Sequence, residues 1–303
     1  MSKVRLIFNP LAARSGDRRI QSVLREAVPP GDDFEWVETT EPGHATRLAR
    51  EAACAGYQRV IALGGDGTAH EVINGLLLAP PEKRSLFGLV PLGSCDDLAF
   101  ATGLARDPLA ALRLALGGDG LPLDIGRIQD ATGRQAYFHN TLGMLFDAAI
   151  VLQTAGKRKT RRFLMYFTAV LRAIAQNFHV TRLHITENGT RETHDCMLFS
   201  VCNGPREGGG FKITPAADPS DGQFDFIRVG DISRLTMLRV LIAVLLGTHG
   251  RGRHVTLGRL NHIEVESEQS MPIHLDGEVW ADYDADVRHI EVTLIPGAIQ
   301  MVR

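Results

Sequence analysis

The sequence predicts an α/β N-terminal domain with a parallel, Rossmann-like sheet, followed by a second domain that is mainly an antiparallel β-sandwich. Three observations carry this expectation. Over the first 124 residues short apolar runs alternate with helical patterns, the mark of βαβ units. Beyond Asp124 strand-like runs dominate, with one helical insert at 163–178. In the first region the strands end in turns rich in Gly, Pro, Asn and Asp. In a parallel sheet those carboxyl-end turns are where ligands sit.

The first strand, 4–8, ends at Asn9-Pro10, and a loop runs on to Gly16. A helix over 17–27 is broken by Pro29-Pro30-Gly31, and 34–37 form the second strand. The turn from Thr39-Thr40 to Gly43 leads into a helix at 44–55. Residues 60–63 form the third strand, followed by Gly64-Gly65-Asp66-Gly67-Thr68. Ala69, Val72, Ile73, Leu76 and Leu77 share one face of the next helix. Thr68 with Glu71 fits a capping box, so this helix is expected to start at Thr68. A fourth strand, 86–90, ends in Pro91-Leu92-Gly93-Ser94-Cys95-Asp96-Asp97, with a helix from Leu98. The second region reads as strands at 136–140, 180–185, 196–202, 224–229, 260–265 and 271–275. A last strand carries Ile290, Val292 and Leu294 on one face. The expected domains are 1–124 and 125–285, with 286–303 as a strand that returns to the first as one option.

Apolar content of 44% with 22% charged residues is that of a soluble globular protein, and a net charge of −2 excludes charge-driven nucleic-acid binding. Cys54, Cys95, Cys196 and Cys202 show no CxxC or zinc spacing, which suits reduced thiols in the cytoplasm. The chain runs from Met1 straight into a strand pattern, so no signal peptide is expected. The most apolar stretch, 235–246, is interrupted by Arg239 and too short to span a bilayer, so membrane contact is expected to be peripheral. The basic run Lys157-Arg158-Lys159-Thr160-Arg161-Arg162 suits either anionic headgroups or a solvated loop. The histidines show no metal spacing and read as surface or core residues.

Two stretches point to chemistry. Three glycines within Gly64–Gly67 permit positive φ and leave no Cβ between backbone and ligand, and a helix N-terminus attracts phosphate. A carboxylate there, Asp66, makes sense with a metal or a proton to handle; the plainer alternative is a tight βα turn. The second stretch is the long loop 203–222, with Gly208-Gly209-Gly210, Pro215 and the acids Asp218 and Asp221, a length that suits a functional loop.

Taken in order, these segments resemble the diacylglycerol kinase catalytic-domain family in its bacterial lipid-kinase branch, to which sphingosine and ceramide kinases are related. Asn9-Pro10 with Gly16 is similar to the family's opening nucleotide loop, and Gly64 to Thr68 to its GGDGT signature. Residues 91–99 resemble its PLGTGNDFA segment. Asn140, Gly143 and Phe146-Asp147-Ala148 resemble a further block, as does Asn203 with the glycine-rich loop. Leu275-Asp276-Gly277-Glu278 resembles the catalytic DGE. GGDGT is shared with NAD kinases and phosphofructokinase-like enzymes; the ordered set is specific.

The resemblance implies transfer of the γ-phosphoryl of ATP, with Mg²⁺, to a hydroxyl of a diacylglycerol-like or related lipid at a membrane surface. The enzyme would be cytoplasmic or peripheral at the inner membrane face, and a homodimer is left open. The nucleotide side is expected at Asn9, Pro10, Thr39, Thr40, Gly64, Gly65, Asp66, Gly67, Thr68, Glu71, Gly93 and Ser94. Asp66 would help hold Mg²⁺. Across a cleft, Glu278 would be the base with Asp276 in support; the alternative for Asp276-Gly277-Glu278 is an ordinary hairpin turn. A structural Mg²⁺ would sit on Asp221, with Asp218 and Gln223 beside it; the alternative is an Asp-Gly turn. The chain departs from the family at Cys95 and Asp96, where relatives carry Gly and Asn, and at Ala12-Ala13. Two other functions remain: an NAD-kinase-like small-molecule kinase, suggested by GGDGT, and a catalytically degenerate nucleotide- or lipid-binding protein, suggested by Cys95 and Asp96.

Overall fold

A computed structural model describes residues 3–12, 18–31, 33–154, 162–176 and 178–303. The loop to Gly16 and the basic run up to Arg161 fall largely outside these residues. The chain forms two compact units, Met1–Asp124 with Pro296–Arg303, and Ile125–Ile295.

The first unit contains β1 (Val4–Phe8), α1 (Arg18–Ala27), β2 (Phe34–Glu38), α2 (His44–Cys54), β3 (Arg59–Gly64), α3 (Asp66–Leu77), β4 (Leu86–Pro91), α4 (Asp97–Ala101) and α5 (Pro108–Gly117). Its strands are parallel in the order β4-β3-β1-β2. The strands are almost wholly apolar because helices cover such a sheet on both faces. Leu6, Phe8, Ile61, Leu63 and Val90 are buried in one core with Leu24 of α1 and Leu112 of α5. Asp107 caps α5 by accepting the Ala110 N–H, with Pro108 at its first position.

The second unit is built on β5 (Gly120–Asp130), which starts in the first unit, and on β6 (Gln135–Phe138) and β7 (Thr141–Leu145). There follow α6 (Phe146–Thr154), α7 (Arg162–Gln176), β8 (Thr181–Glu187), β9 (Thr190–Cys202), β10 (Phe224–Gly230) and α8 (Arg234–Leu246). The rest is β11 (Val255–Leu260), β12 (His262–Ser267), β13 (Ile273–Leu275), β14 (Glu278–Ala281) and β15 (His289–Val302). All pairings from β7 to β14 are antiparallel. The end of β15 lies in the first unit, where Met301 pairs in parallel with Phe87 of β4. Phe138, Met144, Phe199, Phe224, Val265 and Ile290 belong to one core of the second unit. A second core packs α6, α7 and α8 over β9 and β10. None of the four cysteines forms a disulfide, and burial pushes the Cys196 thiol up to about 11, which makes it unreactive.

Several expectations change. The run at 260–265 is two strands that meet at Asn261, where Leu294 donates to its carbonyl. The run at 235–246 is a helix, α8, capped by Ser233 and closed by left-handed Gly247. Its apolar residues lie on two faces, which hides the helical period. α3 begins at Asp66 rather than Thr68, with Gly65 as its cap residue.

Candidate active site

The carboxyl edge of the parallel sheet gathers the expected nucleotide-side turns. Thr39 N–H donates to Phe8 carbonyl, Asn9 N–H to Leu63, and Leu92 N–H to Gly64, so four strand ends are tied in a row. Asn9 bridges them: its Nδ2 donates to Thr68 Oγ1 at 2.9 Å while its Oδ1 accepts from Leu11 N–H. Pro10 opens the turn beyond it. Thr40 bonds His44 Nδ1 through its amide and hydroxyl. Ser94 is exposed on the next turn.

The glycines at this edge answer a packing demand. A Cβ at Gly93 would lie 2.7 Å from Gly65 Cα, so the β3–α3 and β4–α4 turns approach backbone to backbone. At Gly64 a Cβ would fall inside the Thr68 side chain. Gly67 and Asp66 form the partly exposed first turn of α3. Asp66 Oδ1 accepts the Leu98 N–H at 3.2 Å, which joins the starts of α3 and α4. Asp96 adopts φ 51°, a left-handed conformation that Asp and Asn share, and its Oδ1 accepts the Gly93 N–H at 2.8 Å. An Asn would make the same bond, so the departure at this position leaves the turn's geometry intact.

The capping box is not formed. Thr68 is bound to Asn9, and the Glu71 carboxylate reaches the neighbouring helix, accepting from Gly43 N–H at 2.9 Å and Ala45 N–H at 3.0 Å. Glu71 thus caps α2, which has no capping side chain of its own. Glu71→Ala will destabilise the protein by about 1–2 kcal/mol, read as a lower urea midpoint.

In the second unit, Asp276 and Gly277 have φ 52° and 82° and form the two-residue loop of the β13–β14 hairpin. The hairpin reading and a functional one thus fall on the same residues. The Asp276 carboxylate accepts N–H bonds from His139 (3.1 Å), Asn140 (2.8 Å) and Thr141 (3.0 Å), and its side chain is 1% exposed. It is committed to holding that segment. Glu278, at the start of β14, is exposed to solvent.

The acidic loop before β10 is held by its own turns. Asp218 accepts from Ser220 N–H and Oγ–H, and Asp221 Oδ1 accepts the Gln223 N–H across left-handed Gly222. Asp221 Oδ2 lies 3.3 Å from the Arg259 guanidinium. A cation already stands against the carboxylate expected to hold Mg²⁺, so these residues do not fit a divalent ion as arranged. The turn reading accounts for them.

A buried cluster escaped sequence reading. β7 passes directly into α6 through Leu145 at φ 61°, a conformation costing about 1–3 kcal/mol for such a residue. This abrupt switch puts Asp147 in the first turn of α6, which packs against β13. His274 Nε2 lies 3.4 Å from Asp147 Oδ2 and 3.4 Å from Glu207 Oε1. Ser200 Oγ–H donates to Asp147 at 2.6 Å. Burial pulls the His274 pKa down, but Glu207 and Asp147 outweigh it and hold it at about 9. Among the described residues this is the one group of three potential ligand atoms within 4.8 Å of one another. It does not fit a metal as it stands: His274 Nδ1 accepts the Gly277 N–H, so the ring proton is on the nitrogen facing the carboxylates. His274 was legible only as the residue between Ile273 and Leu275 in an alternating strand, hence on their opposite face. Glu207 carried no signal.

Asp147 and Glu207 also line one end of an apolar cavity enclosed by Phe146, Ile150, Val170, Phe211, Ile227 and Leu241, with other aliphatic residues. These are the only charged groups on its wall among the described residues.

Comparison with known proteins fits both units. The diacylglycerol kinase catalytic domain model matches residues 3–128, and the YegS C-terminal NAD kinase beta sandwich-like domain model matches residues 142–303. A protein of Chromohalobacter salexigens named a probable YegS-like lipid kinase is 34% identical over 297 residues, spanning 97% of this chain and 91% of that protein. The chain belongs to the diacylglycerol kinase and YegS-like family. This kinase is also 29% identical to the diacylglycerol kinase of Bacillus subtilis, over 97% of each chain. Its fold is shared with a crystal structure of a diacylglycerol kinase from Bacillus anthracis strain Sterne, with a TM-score of 0.71 at 22% identity over 99% of this chain and 96% of that one. No helix among the described residues is long and apolar enough to cross a membrane.

Proposed function

We propose that this kinase transfers the γ-phosphoryl group of ATP to a hydroxyl of a diacylglycerol-like lipid. The observation that carries the acceptor is the apolar cavity beneath α6, α7 and α8. A soluble polar acceptor needs no such cavity, whereas an acyl chain gains about 0.8 kcal/mol for each methylene it buries there. Asp147 and Glu207 at one end are acceptors for a headgroup hydroxyl.

On the donor side, the Gly64–Thr68 turn and the start of α3 offer amides to phosphate oxygens, and Asp66 is a carboxylate for the Mg²⁺ that accompanies the nucleotide. The ion would neutralise charge on the phosphates. Glu278, exposed and untied, is the group we assign to take the acceptor's proton; Asp276 serves as its anchor.

α8 supports action at a lipid surface. Leu235, Ile242 and Leu246 are 60%, 58% and 65% exposed and fall on one line along the helix, while Met237, Leu241 and Val244 on the opposite side face the cavity. Arg239 is exposed near the outer line. A helix apolar on both faces, with one face on a cavity, suits a wall between bound lipid and bilayer.

The test is phosphate transfer from labelled ATP with Mg²⁺ to dioctanoylglycerol, sphingosine, ceramide and NAD. Transfer to a lipid is expected, with Asp66→Asn lowering kcat about 10²-fold or more. Phosphorylation of NAD and of no lipid would replace this reading with a small-molecule kinase. No transfer to any acceptor, with ATP affinity unchanged by Asp66→Asn, would leave a degenerate binding protein.

A further inference from the structure

We propose that His274 is a positioning residue that couples occupation of the apolar cavity to the Asp276-Gly277-Glu278 turn, an inference that rests on the lipid reading above. Each ring nitrogen faces one of the two places. Nδ1 lies 3.3 Å from the Gly277 nitrogen, which donates to it. Nε2 lies between Asp147 and Glu207, the two carboxylates on the cavity wall. The ring is fully buried, so it exchanges neither contact for water.

Space for this contact depends on the backbone opposite. A Cβ at Gly143 of β7 would fall on His274 Nε2 and on Asp147 Oδ2, so only glycine lets imidazole and carboxylate meet there. The hydroxyl of Ser200 on β9 fixes the carboxylate from the other side. The same β7–β13 pairing that brings His274 opposite Gly143 carries the hairpin holding Glu278.

The coupling follows from what one ring can do. An amide N–H can donate to Nδ1 only while that nitrogen carries no proton. A second proton on the ring therefore releases the Gly277 amide. The charges that draw this proton are Glu207 from the long loop, Asp147 from α6 and Asp276 from the turn itself, and together they favour the charged ring in the empty site. A headgroup hydroxyl that donates to Asp147 or Glu207 takes up part of that charge. The ring then gives up its second proton, Nδ1 accepts from Gly277, and the turn bearing Glu278 is set. With the cavity empty the turn is looser. The lipid thereby orders the residue that acts on it.

Two side chains separate the contacts. The amide oxygen of His274→Asn takes the place of Nδ1 and keeps the Gly277 bond without reaching the carboxylates. The amide of His274→Gln reaches the place of Nε2 and leaves Gly277 without its acceptor. The full-length protein and both variants are assayed with ATP, Mg²⁺ and dioctanoylglycerol in mixed micelles. Hydrogen exchange of the peptide covering 273–281 is followed with and without that lipid, in the absence of ATP. For the wild type, lipid slows exchange of the turn. The Gln variant loses about tenfold in kcat with a lipid KM within about twofold of wild type, and its turn exchanges fast in both conditions. The Asn variant keeps kcat within about threefold, and its turn is protected equally with and without lipid. Coupling is overturned if wild-type exchange ignores the lipid, or if both variants lose kcat, KM and thermal midpoint together, which marks a purely structural role. Transfer to the lipid without an exchange response sinks the coupling alone. Absence of transfer sinks the lipid reading, and the exchange measurement still decides whether cavity and turn are linked.

Discussion

Asp276→Ala will destabilise the protein by about 3–6 kcal/mol, because three N–H groups lose their acceptor in a site closed to water. An unsatisfied buried donor costs its full desolvation, and here the three are consecutive. The turn residue itself tolerates the change poorly, since φ 52° is strained for Ala and accessible to Asp. The effect is read as a drop in the denaturant midpoint at constant m-value. Asp276→Asn keeps one oxygen acceptor and the turn conformation, so it will lose less than Ala. Activity losses in either variant should track the folded fraction. A variant that is fully folded yet inactive would show that Asp276 acts on the substrate directly, contrary to the anchor role.

Glu278→Gln should behave in the opposite way. The side chain is exposed, so the thermal midpoint stays within about 1 °C, a surface change being near neutral. Loss of a general base lowers kcat by about 10²–10⁴-fold, with a lipid KM that changes little. The two neighbours of Gly277 then separate into one that holds the backbone and one that handles a proton. A Glu278→Gln enzyme that retains its kcat would remove Glu278 from the chemistry and return the search for a base to Asp147 and Glu207.

The order of strands and helices in the first unit, its parallel sheet, and the run of ligand-binding turns at its carboxyl edge are written in local pattern. Apolar runs of strand length, helices of period near 3.6 and glycine-rich turns are properties of neighbouring residues, so they survive reading in one dimension. Gly64 to Thr68 announced itself in that way, as did Asp276-Gly277-Glu278. The partners of those residues were not legible. Glu71 pairs in sequence with Thr68 but in space with the start of α2, 26 and 28 residues away. The capping box failed because the side chain met a better set of unsatisfied amides across the helix pair.

The same holds more strongly for the second unit. α8 hid its period because it is apolar toward the cavity and toward solvent alike. The His274 cluster joins residues 147, 207 and 274, and the Asp276 anchor spans 135 to 137 residues. Contacts of such separation are set by strand register, a pairing of β7 with β13 and β9 that no local spacing encodes. The chemical vocabulary of this kinase could therefore be read along its chain: glycines beside Asp66, and an Asp-Gly-Glu turn. Folding assigned the parts. It made Asp276 an anchor, left Glu278 exposed, gave Asp221 a guanidinium in place of an ion, and closed an apolar cavity against two carboxylates. Burial and long-range pairing set the charge and freedom of each group, and neither is a property of a residue and its neighbours in sequence.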